Sequence, residues 1–97
     1  MTNNDNQIAV TYTDEKLRIL VEEYITQQKT EFTFKGVCAY ILYWAMEDGK
    51  VTKQSPLCEG NRLVQADCDR ISQVLAKIVS EGRIAVAGSG SVSFVKQ

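Results

Sequence analysis

Apolar residues recur along this chain at helical spacing in three stretches, and between them lie short segments that alternate. Leu17, Leu20, Val21, Tyr24 and Ile25 fall at i, i+3, i+4, i+7 and i+8, one face of a helix, while Lys16, Arg18, Glu22 and Glu23 hold the opposite side. Thr13 stands just ahead of Asp14 and Glu15. A hydroxyl cap followed by two carboxylates at the positive end of the helix dipole predicts the start there, with Tyr12 and Leu17 at staple positions. The pattern fades around Gln27 to Lys29. Glu31-Phe32-Thr33-Phe34 alternates aromatic with polar over too few residues for a helix and predicts a brief strand. From about Phe34 to Glu47, Val37, Cys38, Tyr40, Ile41, Leu42, Tyr43, Trp44 and Met46 make a helix apolar nearly all round, capped by Thr33 and ended by Gly49. Such a helix is expected at the centre of the core, with its aromatic set in the core or on a dimer face.

Lys50 to Val64 reads as a loop, with Ser55-Pro56 and Glu59-Gly60-Asn61 as turn signals. Asp67 is the expected cap of a third helix over 67–80, in which Ile71, Val74, Leu75, Ile78 and Val79 repeat the core-facing spacing before Gly82 stops it. Arg83 to Ala87 and Ser91 to Val95 predict two short strands joined at Gly88-Ser89-Gly90 as a tight hairpin. Residues 1–12 carry Asn, Asp, Gln and Thr with a brief Ile8-Ala9-Val10 touch, and are expected as a flexible N-terminal arm or short edge segment outside a domain of residues 13–97. The fold class is α+β.

Ninety-seven residues provide one core, and an apolar fraction of 44% with one Pro is ordinary globular composition. The longest apolar run, Val37 to Met46, falls well short of a bilayer span, and the polar residues after Met1 do not resemble a secretory leader. The three cysteines, Cys38, Cys58 and Cys68, are odd in number and widely spaced, which suits a reducing cytoplasm. They lack the paired spacing of a structural zinc site, and there is no His to complete one. The absence of His also removes the usual base of nucleophilic catalysis, and Asp67 and Asp69 lie two apart on different sides of their helix. Neither enzyme chemistry, a metal nor a cofactor is expected. The net charge of -1 supplies no global attraction to a polyanion, so any nucleic-acid affinity has to come from a local patch.

The run Ile71-Ser72-Gln73-Val74-Leu75-Ala76-Lys77-Ile78-Val79-Ser80-Glu81-Gly82-Arg83-Ile84 resembles the recognition helix of bacterial and archaeal winged-helix regulators. The resemblance covers the order of elements from Thr13 to Val95 and the residue pattern from Asp67 to Ile84. It implies a three-helix bundle with a short strand and a C-terminal β-hairpin as the wing, in a DNA-binding protein and homodimer. On that implication the 67–80 helix enters a major groove, showing Asp69, Arg70, Ser72, Gln73, Ala76 and Lys77. Arg70 would read guanine and Gln73 adenine, by the donor sets of those side chains. Arg62, Lys50 and Lys53 in the long loop, Lys35 on the second helix, Arg83, Lys96 and the Ser89 tip of the 84–95 hairpin would meet phosphates. Two features depart from the pattern: the long connection from Gly49 to Ala66, and the carboxylates of Asp67 and Asp69 where phosphate would approach. The same fold also serves as a non-catalytic protein-interaction module or homo-oligomer, which here would use the aromatic helix or the hairpin edge to bind a partner or a second copy.

Overall fold

The computed structural model describes residues 7–52, 62–87 and 93–97. In chain order the elements are β1 (Gln7–Ile8), α1 (Asp14–Gln27), β2 (Glu31–Thr33), α2 (Phe34–Asp48), β3 (Arg62–Leu63), α3 (Gln65–Ser80), β4 (Ile84–Ala87) and β5 (Ser93–Lys96).

Threonine caps set the first two helices where the sequence predicts them. Thr13 Oγ1 accepts the Lys16 N–H at 3.1 Å, and Thr33 Oγ1 accepts that of Gly36 at 3.0 Å. At the far end of α2, Gly49 takes φ 70°, and Lys50 N–H turns back to Ala45 O at 2.8 Å. Gly82 plays the same part after α3 with φ 81°. The third helix departs from expectation at its start: it begins at Gln65, its cap is Val64 with no side-chain hydrogen bond, and Asp67 lies inside the first turn.

Two small sheets flank the three helices. In the first, β5 lies between β2 and β4, both antiparallel to it, with Phe94 opposite Phe32 on one side and Val86 on the other. The Phe32 and Phe94 rings stack at 5.3 Å. The second pairs β1 with β3 in parallel, Ile8 opposite Leu63, and a Val10–Val51 bridge extends the tie between the N-terminal stretch and the segment after α2. Thr11 N–H donates to Lys50 O at 2.8 Å and Val64 N–H to Ile8 O at 3.1 Å.

Of the two expectations for residues 1–12, residues 7–12 take the short edge segment, as β1, and the flexible arm outside the domain is corrected for them. Ile8, Val10 and Tyr12 are core residues, and Ile8 is fully buried beside Leu17, Val37, Ile41, Ile71, Leu75 and Ile78. Burial of three such side chains, at roughly 1.5–3 kcal/mol each, together with the backbone partners the segment gains, offsets the cost of ordering it. The loop reading of Lys50 to Val64 is corrected likewise at Val51 and at β3, while the turn signals at Ser55-Pro56 and Glu59-Gly60-Asn61, together with Cys58, lie outside the described residues.

The helices bury the stripes that their spacing predicts: Leu17, Leu20, Val21 and Ile25 on α1, and Ile71, Leu75 and Ile78 on α3. On α2, Val37, Ile41, Leu42 and Ala45 face inward, but the helix is not apolar-buried all round, because Tyr43 and Trp44 stand exposed and meet edge to face at 5.4 Å. The protein is an α+β domain of three helices and two small sheets. Among the described residues no helix is long and apolar enough to cross a membrane.

Candidate interaction surface

The sequence puts its strongest base-reading side chain at Arg70, and the fold engages that half-buried side chain in internal hydrogen bonds. Its Nη1 donates to Asp67 Oδ1 at 3.0 Å, Nη2 to the Tyr12 carbonyl at 2.6 Å, and Nε to Asp14 Oδ1 at 3.0 Å. Asp67 is 4% exposed, and its second oxygen accepts the Val10 N–H at 2.9 Å. A carboxylate buried this deeply needs a partner for each oxygen, and the guanidinium of the next turn is one of them. The guanidinium of Arg70, expected to stand outward and free, is half-buried and paired: Asp67 one turn before it and Asp14 across from it hold it against the protein.

Arg83 is held in a comparable way. A ladder of alternating charge runs across α1 and the end of α3, in which Arg18 meets Glu22 at 2.6 Å and Glu81 at 2.7 Å, and Arg83 meets Glu22 at 3.0 Å. Hydrogen bonds from Arg18 and then Arg83 hold the Glu22 carboxyl below its usual range, and the Arg18 bond does the same for Glu81. Lys96 is also occupied, its Nζ donating to Gln28 O at 3.0 Å.

Ser72, Gln73, Lys77 and Arg62 are exposed, but they do not converge. Gln73 and Lys77 line a recess between α1 and α3 shared with Asp14, Glu15, Arg18 and Arg70, so charge of both signs surrounds them. Ser72 faces a separate groove between α3 and the three-stranded sheet. Arg62 and Lys35 line a third cavity, between α2 and β3. Lys53 and Ser89 lie outside the described residues. Among the described candidates the fold thus brings together Arg70, Gln73 and Lys77, beside two carboxylates, and leaves no continuous positive strip joining them to Arg62 and Arg83.

The α3–sheet groove, about 310 Å³, is lined by Phe34, Leu75, Ala76, Val79, Val86 and Phe94 as well as Ser72. Val86 is 63% exposed, the most exposed large apolar side chain described. Its strand, β4, is an edge strand. Gln97 N–H donates to Arg83 O at 3.0 Å, and by antiparallel alternation from that pair, Ala85 and Ala87 exchange hydrogen bonds with β5. The backbone groups of Ile84 and Val86 consequently point to the open side of the sheet. Sequence reasoning marks the hairpin edge but not this groove, whose walls come from α2, α3 and both hairpin strands. The available signal was Val86 itself, on the same strand face as buried Ile84 but nearer the hairpin tip.

Among the described residues no group of three or more His, Cys, Asp or Glu side chains is placed to hold a metal ion. No family model, curated protein or solved structure matches the chain.

Proposed function

We propose that this chain is a non-catalytic protein-interaction module of winged-helix architecture, which receives an extended partner segment along β4. Leaving aside the β1–β3 pair, the order α1, β2, α2, α3, β4, β5, with the short β2 strand added to the β4–β5 pair, supports the architecture. The observation that carries the function is Val86, exposed above an apolar groove on a strand whose backbone edge is open. A partner strand pairing with Ile84 and Val86 gains backbone hydrogen bonds, and every second side chain falls toward the groove. Two copies pairing edge to edge are the homodimeric form of the same interaction.

Sequence-reading DNA binding is the second reading. The exposed Ser72, Gln73 and Lys77 on α3 favour it. It requires Arg70 to leave three partners, a loss set against one bidentate base contact worth roughly 1–3 kcal/mol.

A display library of extended peptides, selected on the folded protein, tests the first reading. Peptides of alternating apolar pattern are expected, with binding lost in Val86→Asp and retained in Lys77→Ala. A duplex titration run in parallel at about 50 and 200 mM salt tests the second. Steeply salt-dependent DNA binding that is weakened by Gln73→Ala and Lys77→Ala, with no peptide enriched, reverses the order of the two readings.

A further inference from the structure

We propose that the cavity between α2 and β3 binds a small anionic amphiphile, a carboxylate carried on an apolar body. The site is separate from the edge of β4: of its lining, only Phe34 is shared with the α3–sheet groove. Its volume, about 520 Å³, lies within the roughly 300–1,000 Å³ of small-molecule sites, and its walls come from α2, β3, the start of α3 and Gln7 of β1.

Burial sorts the lining by polarity. Leu42 and Leu63 are buried, and Cys38 and Cys68 half-buried. The charged and amide side chains, Lys35, Arg62, Gln7 and Gln65, all belong to exposed residues. An apolar interior with a polar rim suits a molecule that is apolar at one end and polar at the other.

Charge selects the sign of the polar end. Both described charged residues in the lining are cations, in a chain whose net charge is -1. The recess beside Arg70 holds Asp14 and Glu15 among its cations, and the described lining of the α3–sheet groove carries no charge. Among the described residues the ion pairs take up Arg18, Arg70 and Arg83, but neither Lys35 nor Arg62. The two carboxylates that flank Cys68 in sequence are engaged by the protein: Asp67 by Arg70 and the Val10 N–H, and Asp69 by Gln65 Nε2 at 2.9 Å. Lys35 and Arg62 need not grip the same oxygen. Together they set a positive potential at the mouth, which favours an anion over a neutral or cationic molecule with the same body. A carboxylate carries one charge where a phosphate monoester carries nearly two, so it gives up less hydration beside an apolar wall.

The test is a calorimetric titration of the full chain with octanoate at about 50 mM salt, with octanol, octylamine, octyl phosphate and acetate as comparisons. The expected result is one octanoate per chain, weaker binding at about 300 mM salt, and affinity rising about fourfold per added methylene from hexanoate to decanoate. Octanol is expected to bind more than about tenfold more weakly, and acetate and octylamine not measurably. Lys35→Glu and Arg62→Glu, both at exposed positions, are each expected to weaken octanoate more than about tenfold and to leave octanol unchanged, a contrast that a folding defect does not produce. Val86→Asp is expected to bind octanoate as the parent does, so this site and the partner-strand reading fail separately. Bound octanoate is expected to raise the urea midpoint and to shift the backbone amide resonances of Leu42, Leu63 and Cys68. No octanoate binding by the folded chain overturns the proposal, and so does equal affinity for octanoate, octanol and octylamine. Full octanoate affinity in both charge variants, amide shifts confined to other parts of the fold, or tighter binding of octyl phosphate than of octanoate does the same.

Discussion

A carboxylate almost without solvent contact is stable only when both oxygens are engaged, and Asp67 meets this condition through Val10 N–H and Arg70. Asp67→Ala leaves a buried amide without its acceptor and an arginine without its nearest counter-charge, and is expected to cost about 2–4 kcal/mol, read as a drop in the urea midpoint. A change below about 1 kcal/mol would show that the Asp67 network does not anchor the N-terminal segment. The sequence presents the same residue as a helix cap, because an aspartate near a helix start is the signal for either role, and the partner that decides between them is 57 positions away. Arg70 is misread for the same reason: its type suits a base edge, and nothing local announces Asp14 or the Tyr12 carbonyl. Alkaline pH tests two further residues. Burial first, then the hydrogen bond it donates to Asp48 at 2.7 Å, raises the Tyr12 hydroxyl above its ordinary 10.0, and burial pushes the Cys38 thiol from 9.0 up to about 12. The folded state therefore keeps protons that the unfolded chain gives up. This contribution is complete below about pH 9 and is lost as pH rises toward 12, so urea midpoints are expected to fall between pH 8 and pH 10.5, less so in Cys38→Ala and Tyr12→Phe.

Elements whose boundaries rest on local chemistry were legible. Thr13 and Thr33 announce the starts of α1 and α2, and Gly49 and Gly82 the ends of α2 and α3. A Cβ at either glycine would meet nothing within 4 Å, so the positive φ is the whole obstacle to substitution. Gly49→Ala and Gly82→Ala are each expected to cost about 1–2 kcal/mol in thermal or urea unfolding, and Gly49→Asn less. The start of α3 was not legible because Val64 caps it without a side-chain bond. The shape of β4 was legible only as a strand. Its place at the sheet edge and the groove beside it depend on β2 adding to β5, a pairing that joins residues near 32 to residues near 94. Because Val86 is largely exposed, Val86→Asp is expected to shift stability by no more than about 0.5 kcal/mol while removing peptide binding, which separates docking from folding at this element.

For the molecule as a whole, the helical periodicity and the hairpin conveyed the α+β class, while the small parallel sheet escaped. Ile8, Val10 and Tyr12 do alternate with Gln7, Ala9 and Thr11, but a strand that short gains meaning only from its partner at Arg62–Leu63. Deleting residues 1–12 is expected to abolish cooperative thermal unfolding rather than to trim a dispensable tail, as far-ultraviolet circular dichroism would show. Charge behaves likewise at this scale: the basic residues counted along the chain look available, and folding consumes Arg18, Arg70 and Arg83 in internal pairs. The parallel pairing also bears on synthesis. During translation β1 precedes both of the first two helices, yet its mate is made only after them, so a ribosome-bound nascent chain carries Ile8, Val10 and Tyr12 uncovered until Arg62–Leu63 emerges. Emergence of β3 then times the closing of this domain, and the interval before it is when a holdase chaperone has apolar sequence to grip.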